Sequence, residues 1–520
     1  MRWVIWSIII RFPSYDNRRS RRLRRHVSTL ARTAWLLSAA FAVAGCAEIA
    51  GSTSKPPGAG TASSITKDGI TWKFSETVPV GQFVTGDYYV VGPVTIIAIS
   101  PAPTTRSPYM NGSVVNLPTS NGKSGFDSRL NDGSDESWWF DASLRAYPPI
   151  TLKPGDTLVS SISLAQTQSL PELMRSSSKS ASPVGSMSVL TVLASSVSGD
   201  AFRPSYCDRK QTVYHAGSVE RNVLPSLTPP DPLSTPTLGE YEALYRRPWV
   251  DTNPFLFDAP AEYMPSYGQH IAFADSYATL LLMLNFSAEQ KVKLTNYFIQ
   301  YGIDLYGCVQ AGYGWPAFGG HRSGRKLPII FAGILLNDPG MKSVSAAYSD
   351  RFGEDMQTLY VRQVPPAGTY QEAWQGATVI YGGHYGVKAN GEVVSPGLYG
   401  PYEQLQPTAW PLHNGREQVG ENYRRCCTSV SWIGEALTIH LLHAEKVWDH
   451  PAFFDYADRW MSEDDTQALS RIKAETGIDQ SRKGGRQRQT ADWLKGEVQD
   501  PSFIDDMWRL YRRADRGKAP

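Results

Sequence analysis

The run Gly312-Tyr-Gly-Trp-Pro-Ala-Phe-Gly-Gly-His321-Arg322-Ser-Gly-Arg325-Lys326 gathers a phenol, an indole, an imidazole and two guanidiniums in a glycine-rich segment between two apolar stretches. A connection that only turned the chain would need a few polar residues. Arginine pairs with a carboxylate through a planar fork, aromatic rings pack on sugar faces, and histidine or tyrosine moves protons near neutral pH. The combination suits an anionic sugar, with Arg325 or Arg322 as the carboxylate clamp, His321 beside the proton transfer, and Tyr313 and Trp315 as sugar contacts. The structural alternative is a glycine-rich turn whose arginines pair with Glu354 or Asp355.

Two further loops offer matching chemistry. Tyr381-Gly-Gly-His-Tyr385 is a glycine turn that leaves His384 and Tyr385 free to point into a cleft, and Tyr385 is the foremost candidate for proton transfer, with His321 as its partner. The segment from Tyr402-Glu403 through His413 to Glu421-Asn-Tyr-Arg-Arg425 supplies Tyr402, Glu403, Tyr423 and Arg424 as substrate contacts. His270 stands at the start of a helix, and the sequence does not decide whether it faces the same cleft. The plainer reading makes Tyr385 and Tyr423 packing residues with a hydrogen-bonded hydroxyl. His440 and His443 share a helical spacing but lack a third ligand nearby, so they read as core or surface histidines, and no metal or cofactor is expected.

Positioning these loops requires helices. Ile271 to Leu284 is apolar at helical spacing, Asn285-Phe-Ser287 breaks it, and Ser287-Ala-Glu-Gln290 has the form of a capping box that opens a helix to about Val309. So short a break predicts an antiparallel pair. Lys326 to Leu336 predicts another helix with Pro328 in its first turn, and Thr428 to Val447 and Ala452 to Met461 two more, the last opened by Asp449-His-Pro451. The region from 256 to 461 is therefore the helical, site-bearing domain. The polar stretch 462 to 520 holds short helical candidates at Thr466 to Glu475 and Pro501 to Arg513, as a peripheral extension.

Upstream the period changes to two. Ile70, Trp72 and Phe74 alternate, Tyr88 to Val91, Val94 to Ile99, Leu158 to Leu164 and Val189 to Leu193 follow, and turns fall at Gly86-Asp87, Gly92-Pro93 and Lys153-Pro-Gly-Asp156. Short strands with frequent turns predict an antiparallel β-sandwich over 65–200. The proline-rich 201–255 reads as a connector over the surface.

Residues 1–45 carry nine arginines and one aspartate, then the apolar run Ala34 to Gly45, the pattern of a secretion signal. Val43-Ala-Gly-Cys46 resembles the bacterial lipobox, which implies lipidation at Cys46, a tether over 46–64 and a lipid-anchored place in the cell envelope, on the periplasmic side or the outer surface. The whole chain is +2, so the part from Cys46 onward is −6. That balance argues against nucleic acid as a partner and requires any polyanion to be held by a local arginine cluster. Cys207, Cys308, Cys426 and Cys427 lack metal-site spacing. A disulfide from Cys207 or Cys308 to one of the adjacent pair, and buried free thiols, both remain open.

The stretches His321-Arg-Ser-Gly-Arg-Lys-Leu-Pro-Ile-Ile-Phe-Ala-Gly-Ile-Leu-Leu-Asn-Asp338, Phe352-Gly-Glu-Asp-Met-Gln-Thr358 and Trp448-Asp-His-Pro-Ala-Phe-Phe-Asp-Tyr-Ala-Asp-Arg-Trp460 resemble segments of secreted bacterial proteins related to alginate lyases and heparinase-type polysaccharide lyases. The resemblance spans roughly 255 to 461 and implies an α/α toroid, incomplete here because the helical hairpins are too few, with β-elimination on a uronic acid polysaccharide. Lyases of this kind use tyrosine or histidine for the proton steps and need no bound metal. The enzymatic alternative is an inverting glycoside hydrolase of toroid type, which would draw two carboxylates from Glu354, Asp355, Glu403, Glu417 and Glu421. A non-catalytic glycan-binding surface lipoprotein with Trp138 or Trp139 as its platform is the other. Gly320-His-Arg-Ser-Gly324 misplaces the serine of a nucleophile elbow by one residue, so esterase chemistry is not expected.

Overall fold

The computed structural model describes residues 60–119, 122–130, 140–169, 181–231, 235–252, 261–265, 267–411, 420–477 and 502–512. The expected signal, the lipidation site at Cys46 and the residues Trp138, Trp139, His413 and Glu417 lie outside them.

Alternation builds the first half of the chain. Strands β1 (Gly60–Lys67), β2 (Ile70–Gln82), β3 (Tyr88–Val91), β4 (Val94–Ser100), β5 (Ser113–Val115), β6 (Ile150–Leu152), β7 (Thr157–Ser169) and β8 (Ala181–Leu193) form one curled eight-stranded sheet in the order β5-β7-β8-β3-β2-β4-β6, with β1 on β2. The expected antiparallel sandwich is instead this single mixed sheet, in which β3 runs parallel to β8 with Tyr88 opposite Leu190 and Val91 opposite Leu193. Strand order explains it: β8 returns to β3 after a long excursion, and an alternating pattern specifies which face a residue occupies but not the direction of its neighbour. Residues 60–64, expected in the tether, belong to β1, which β2 accepts as a partner despite its small polar side chains.

The period of two also divides the core. On β7 and β8, Leu158 opposes Leu190 and packs with Ile70, Trp72, Phe74 and Ile96 on one face. Val159 opposes Val189 and faces the other way, into the cluster that contains the helices. The described residues from 60 onward accordingly form one compact unit.

The expected surface connector is partly interior. Residues 201–207 are all buried, because their polar groups find partners there. Gln300 takes the Arg203 N–H at 2.9 Å and returns an amide bond to its carbonyl at 2.9 Å. The Arg203 guanidinium pairs with Asp87 (3.0 Å), in the turn before β3, and with Asp304 (2.6 Å). The connector also carries helix α1 (Leu238–Tyr245), opened by a capping box between Thr237 and Glu240.

Helix α2 (Gly268–Leu282) is buried on every side, and its polar residues Gln269, His270, Asp275, Ser276 and Thr279 are buried with it. Ser287 and Gln290 form the expected capping box and α3 runs Ala288–Gln310. Helix α4 (Lys326–Leu335) follows the basic loop and packs on α3 at Gly302, where an added Cβ would lie 2.3 Å from the Pro328 carbonyl oxygen. Later helices occupy Trp432–Leu441, Pro451–Ser462, Thr466–Thr476 and Ser502–Met507, with irregular helical turns over Arg424–Ser431 in place of the expected continuous start at Thr428. Among the described residues no helix is long and apolar enough to cross a membrane.

Candidate functional site

The basic loop leaves α3 at Gly312 and folds back against the turn after the short strand Val379–Tyr381, the Gly319 N–H meeting the His384 carbonyl at 2.7 Å. Two glycines make that approach feasible. A Cβ on Gly319, whose φ is +54°, would lie 2.4 Å from the Tyr423 ring and 2.6 Å from the His384 ring, and one on Gly320 would lie 1.8 Å from the Cys427 carbonyl oxygen.

Around this contact the rings converge. The His321 ring centroid is 4.6 Å from Phe318 and 5.0 Å from Tyr267, and it stacks at 6.4 Å on Tyr423. His384 lies 5.1 Å from Phe318, 4.9 Å from Tyr385 and 5.1 Å from Tyr423. Tyr385 completes the group at 5.3 Å from Phe318 and 5.5 Å from Tyr399, and His270, in the first turn of α2, meets Tyr267 at 5.9 Å. The guanidinium of the half-buried Arg322 stands 5.6 Å over the Phe318 ring. Residues from all three loops are thus brought together: His321 and Arg322, His384 and Tyr385, and Tyr423, with His270 behind them.

Burial sets their protonation. It lowers His270 and His384 to about 4, and it lowers His321 well below the ordinary imidazole value, helped by His384, Arg322 and Arg325, so all three imidazoles are neutral at pH 7. Nδ1 of His270 and Nδ1 of His384 are buried without a hydrogen-bond partner among the described residues. Burial raises the phenols of Tyr385, Tyr267 and Tyr423. For Tyr423 two hydrogen bonds oppose it, one from the Gly320 N–H and one shared with the Tyr267 hydroxyl.

Other expected contacts are structural. Arg325 cannot be the clamp: it is fully buried, and its Nε bonds Asp251 at 2.8 Å. Segment 323–326 turns inward at Gly324, whose N–H meets Glu354 at 2.6 Å, while Lys326 pairs with Asp355 at 2.6 Å. Arg424, also fully buried, bonds Glu421 (2.7 Å), Glu403 (3.3 Å) and the Tyr456 hydroxyl (3.0 Å). Tyr402 bonds Glu421 at 2.9 Å, and Glu403 also takes Arg459 at 2.9 Å and the Tyr381 N–H at 2.7 Å. These residues hold the third loop from beneath, as a closed network. Trp315 is 1 % exposed in the main core and so does not serve as a sugar platform, while the partly buried Tyr313 lies against its edge at 5.7 Å.

Of the carboxylates expected for a hydrolase, Glu354, Glu403 and Glu421 are fully buried and Asp355 is held by Lys326. Sequence reasoning missed Tyr267, Phe318 and Tyr399. The signal for Tyr267 was its place three residues before His270, one helical turn away. It also missed Asp275 and Glu435, whose carboxyls burial raises well above the usual range.

No protein-family model, curated protein or solved structure matches this chain.

Proposed function

We propose that this chain is a polysaccharide lyase that cleaves a uronic acid polymer, such as alginate or a glucuronan, by β-elimination, on an abbreviated α/α toroid-like helical scaffold. The observation that carries the reading is the convergence of two neutral imidazoles, His321 and His384, with Tyr385, Tyr423 and Arg322 in one cluster.

The uronate C5 proton is weakly acidic. Arg322, half-buried over the Phe318 ring, pairs with the uronate carboxylate and stabilises it as it gains enolate character. A neutral imidazole accepts the C5 proton, the C4–O4 bond breaks, the electron pair forms the C4=C5 double bond, and a phenol returns a proton to O4. His384, whose ring lies nearer Tyr385 than that of His321, is the base, and Tyr385 is the acid. Tyr423, braced by Tyr267 and Gly320, orients the sugar. The chemistry needs no cofactor, and lipid anchoring at Cys46 would hold the enzyme at the envelope where such polymers arrive.

The test offers alginate, glucuronan and glycosaminoglycans to purified protein and follows the ultraviolet absorbance of unsaturated uronates. Reducing ends without that chromophore would assign hydrolysis instead, and binding without either product would assign glycan capture.

A further inference from the structure

We propose that Cys207 and Cys308 are the two halves of a structural disulfide that locks the chain entering the helical region onto α3. This inference is independent of the catalytic reading. In the structure both are thiols, both are buried, and their sulfurs face each other at 2.7 Å.

The backbone on either side is already fixed in the geometry a bridge needs. Cys308 lies four residues after Asp304 on the same face of α3. Asp304 takes the Arg203 guanidinium through both carboxylate oxygens, at 3.0 and 2.6 Å. Ser205 donates to the Asp304 carbonyl at 2.9 Å and accepts the Cys207 N–H at 3.1 Å. Gly307 is what lets the strand of chain lie so close, since a Cβ there would sit 2.2 Å from the Ser205 hydroxyl. Segment 203–207 and the last turns of α3 are therefore held side by side by contacts that do not involve sulfur, and closing the bridge asks little of the backbone.

The reaction balances with a small-molecule disulfide as oxidant. The two thiols lose two protons and two electrons to form one S–S bond, and the oxidant is reduced to two thiols. Burial pushes the Cys207 thiol up, so the folded thiol is a poor nucleophile and the bond forms while the core is still open. The bridge would cross-link residues 101 positions apart, a long loop of the kind whose closure most restricts the unfolded chain.

The test uses the full chain, exported into an oxidising compartment and, in parallel, refolded in a buffer of reduced and oxidised glutathione. Both samples are alkylated with iodoacetamide under denaturing conditions, digested and mapped by mass spectrometry. Cys427, which is disulfide-bonded, is the internal control for oxidising conditions. We expect a peptide that joins Cys207 to Cys308 and disappears on reduction. Recovery of both as alkylated thiols while Cys427 is oxidised, or of either joined to another cysteine, overturns the proposal. Should refolding fail, the exported sample decides alone.

Discussion

Asp251 and Arg325 form an ion pair with no solvent exposure on either side chain, Nε lying 2.8 Å from the carboxylate, while Arg322, three residues earlier, stays half-buried over Phe318. Arg325 holds the loop, and Arg322 is the proposed carboxylate clamp. Replacing Arg325 with Met strands a buried carboxylate, and the variant should lose about 3–5 kcal/mol or fail to fold. Arg322→Ala should melt near the parent temperature yet lose roughly a hundredfold or more in kcat/KM on uronate polymer. Thermal melting and steady-state rates separate the two. Equal effects from both variants would show that the division of labour is wrong.

Acid should weaken the fold through the buried imidazoles. His270 and His384 titrate at about 4 in the folded chain and near the ordinary 6.5 when unfolded, so between these values the unfolded state holds more protons. Stability should therefore fall as pH drops from about 6.5 toward 4, by up to about 3 kcal/mol for each group, and level off below that. His384→Phe should remove part of this slope in urea titrations. The same shift keeps the proposed base neutral, so kcat/KM should stay flat on the acid side well below pH 6 in a stable preparation.

Glu354 should act in the opposite sense. Burial raises it from 4.5 to about 7, so the folded state keeps a proton that the unfolded state has released, and stability is lost as pH rises from 4.5 through 7. Glu354→Gln keeps an acceptor for the Gly324 N–H and cannot ionise. Relative to the parent it should gain up to about 3 kcal/mol across that window, read by urea unfolding at pH 5 and pH 8. A constant difference at the two pH values would contradict the assignment.

Tyr267→Phe removes one of the two hydrogen bonds to the Tyr423 oxygen and leaves the ring packing in place. We expect a melting temperature within a few degrees of the parent and roughly a tenfold loss of kcat, with KM moving less, because the lost bond orients a polar group at about 1–2 kcal/mol. A loss confined to stability would assign Tyr267 to the core.

Much of the scaffold was legible in the chain because periodicity reports burial. The alternation of Ile70, Trp72 and Phe74 announced β2, and Ser287 with Gln290 announced the start of α3. The parallel pairing of β3 with β8 was not legible, since no local signal carries strand direction across so long an excursion. At the site, spacing brought the three loops to attention, but Arg322 and Arg325 differ only in which way a turn points them. Tyr402, Glu403 and Arg424 looked like ligands for the same reason. Their types suit a sugar as well as they suit the closed network of Glu421, Tyr456 and Arg459 that they form. Asp275 and Glu435 hid inside apolar helical runs, where two carboxyls hardly disturb the pattern.

Proton transfer at Tyr385 within the ring cluster is the central step of the proposed reaction. The most direct measurement follows unsaturated uronate by its ultraviolet absorbance for the parent and for Tyr385→Phe side by side, both verified as folded. We predict a steady rise for the parent and at least a hundredfold slower rise for the variant, about 2.7 kcal/mol of barrier. Undiminished absorbance with Tyr385→Phe, or none from the parent on any uronic acid polymer, would contradict it.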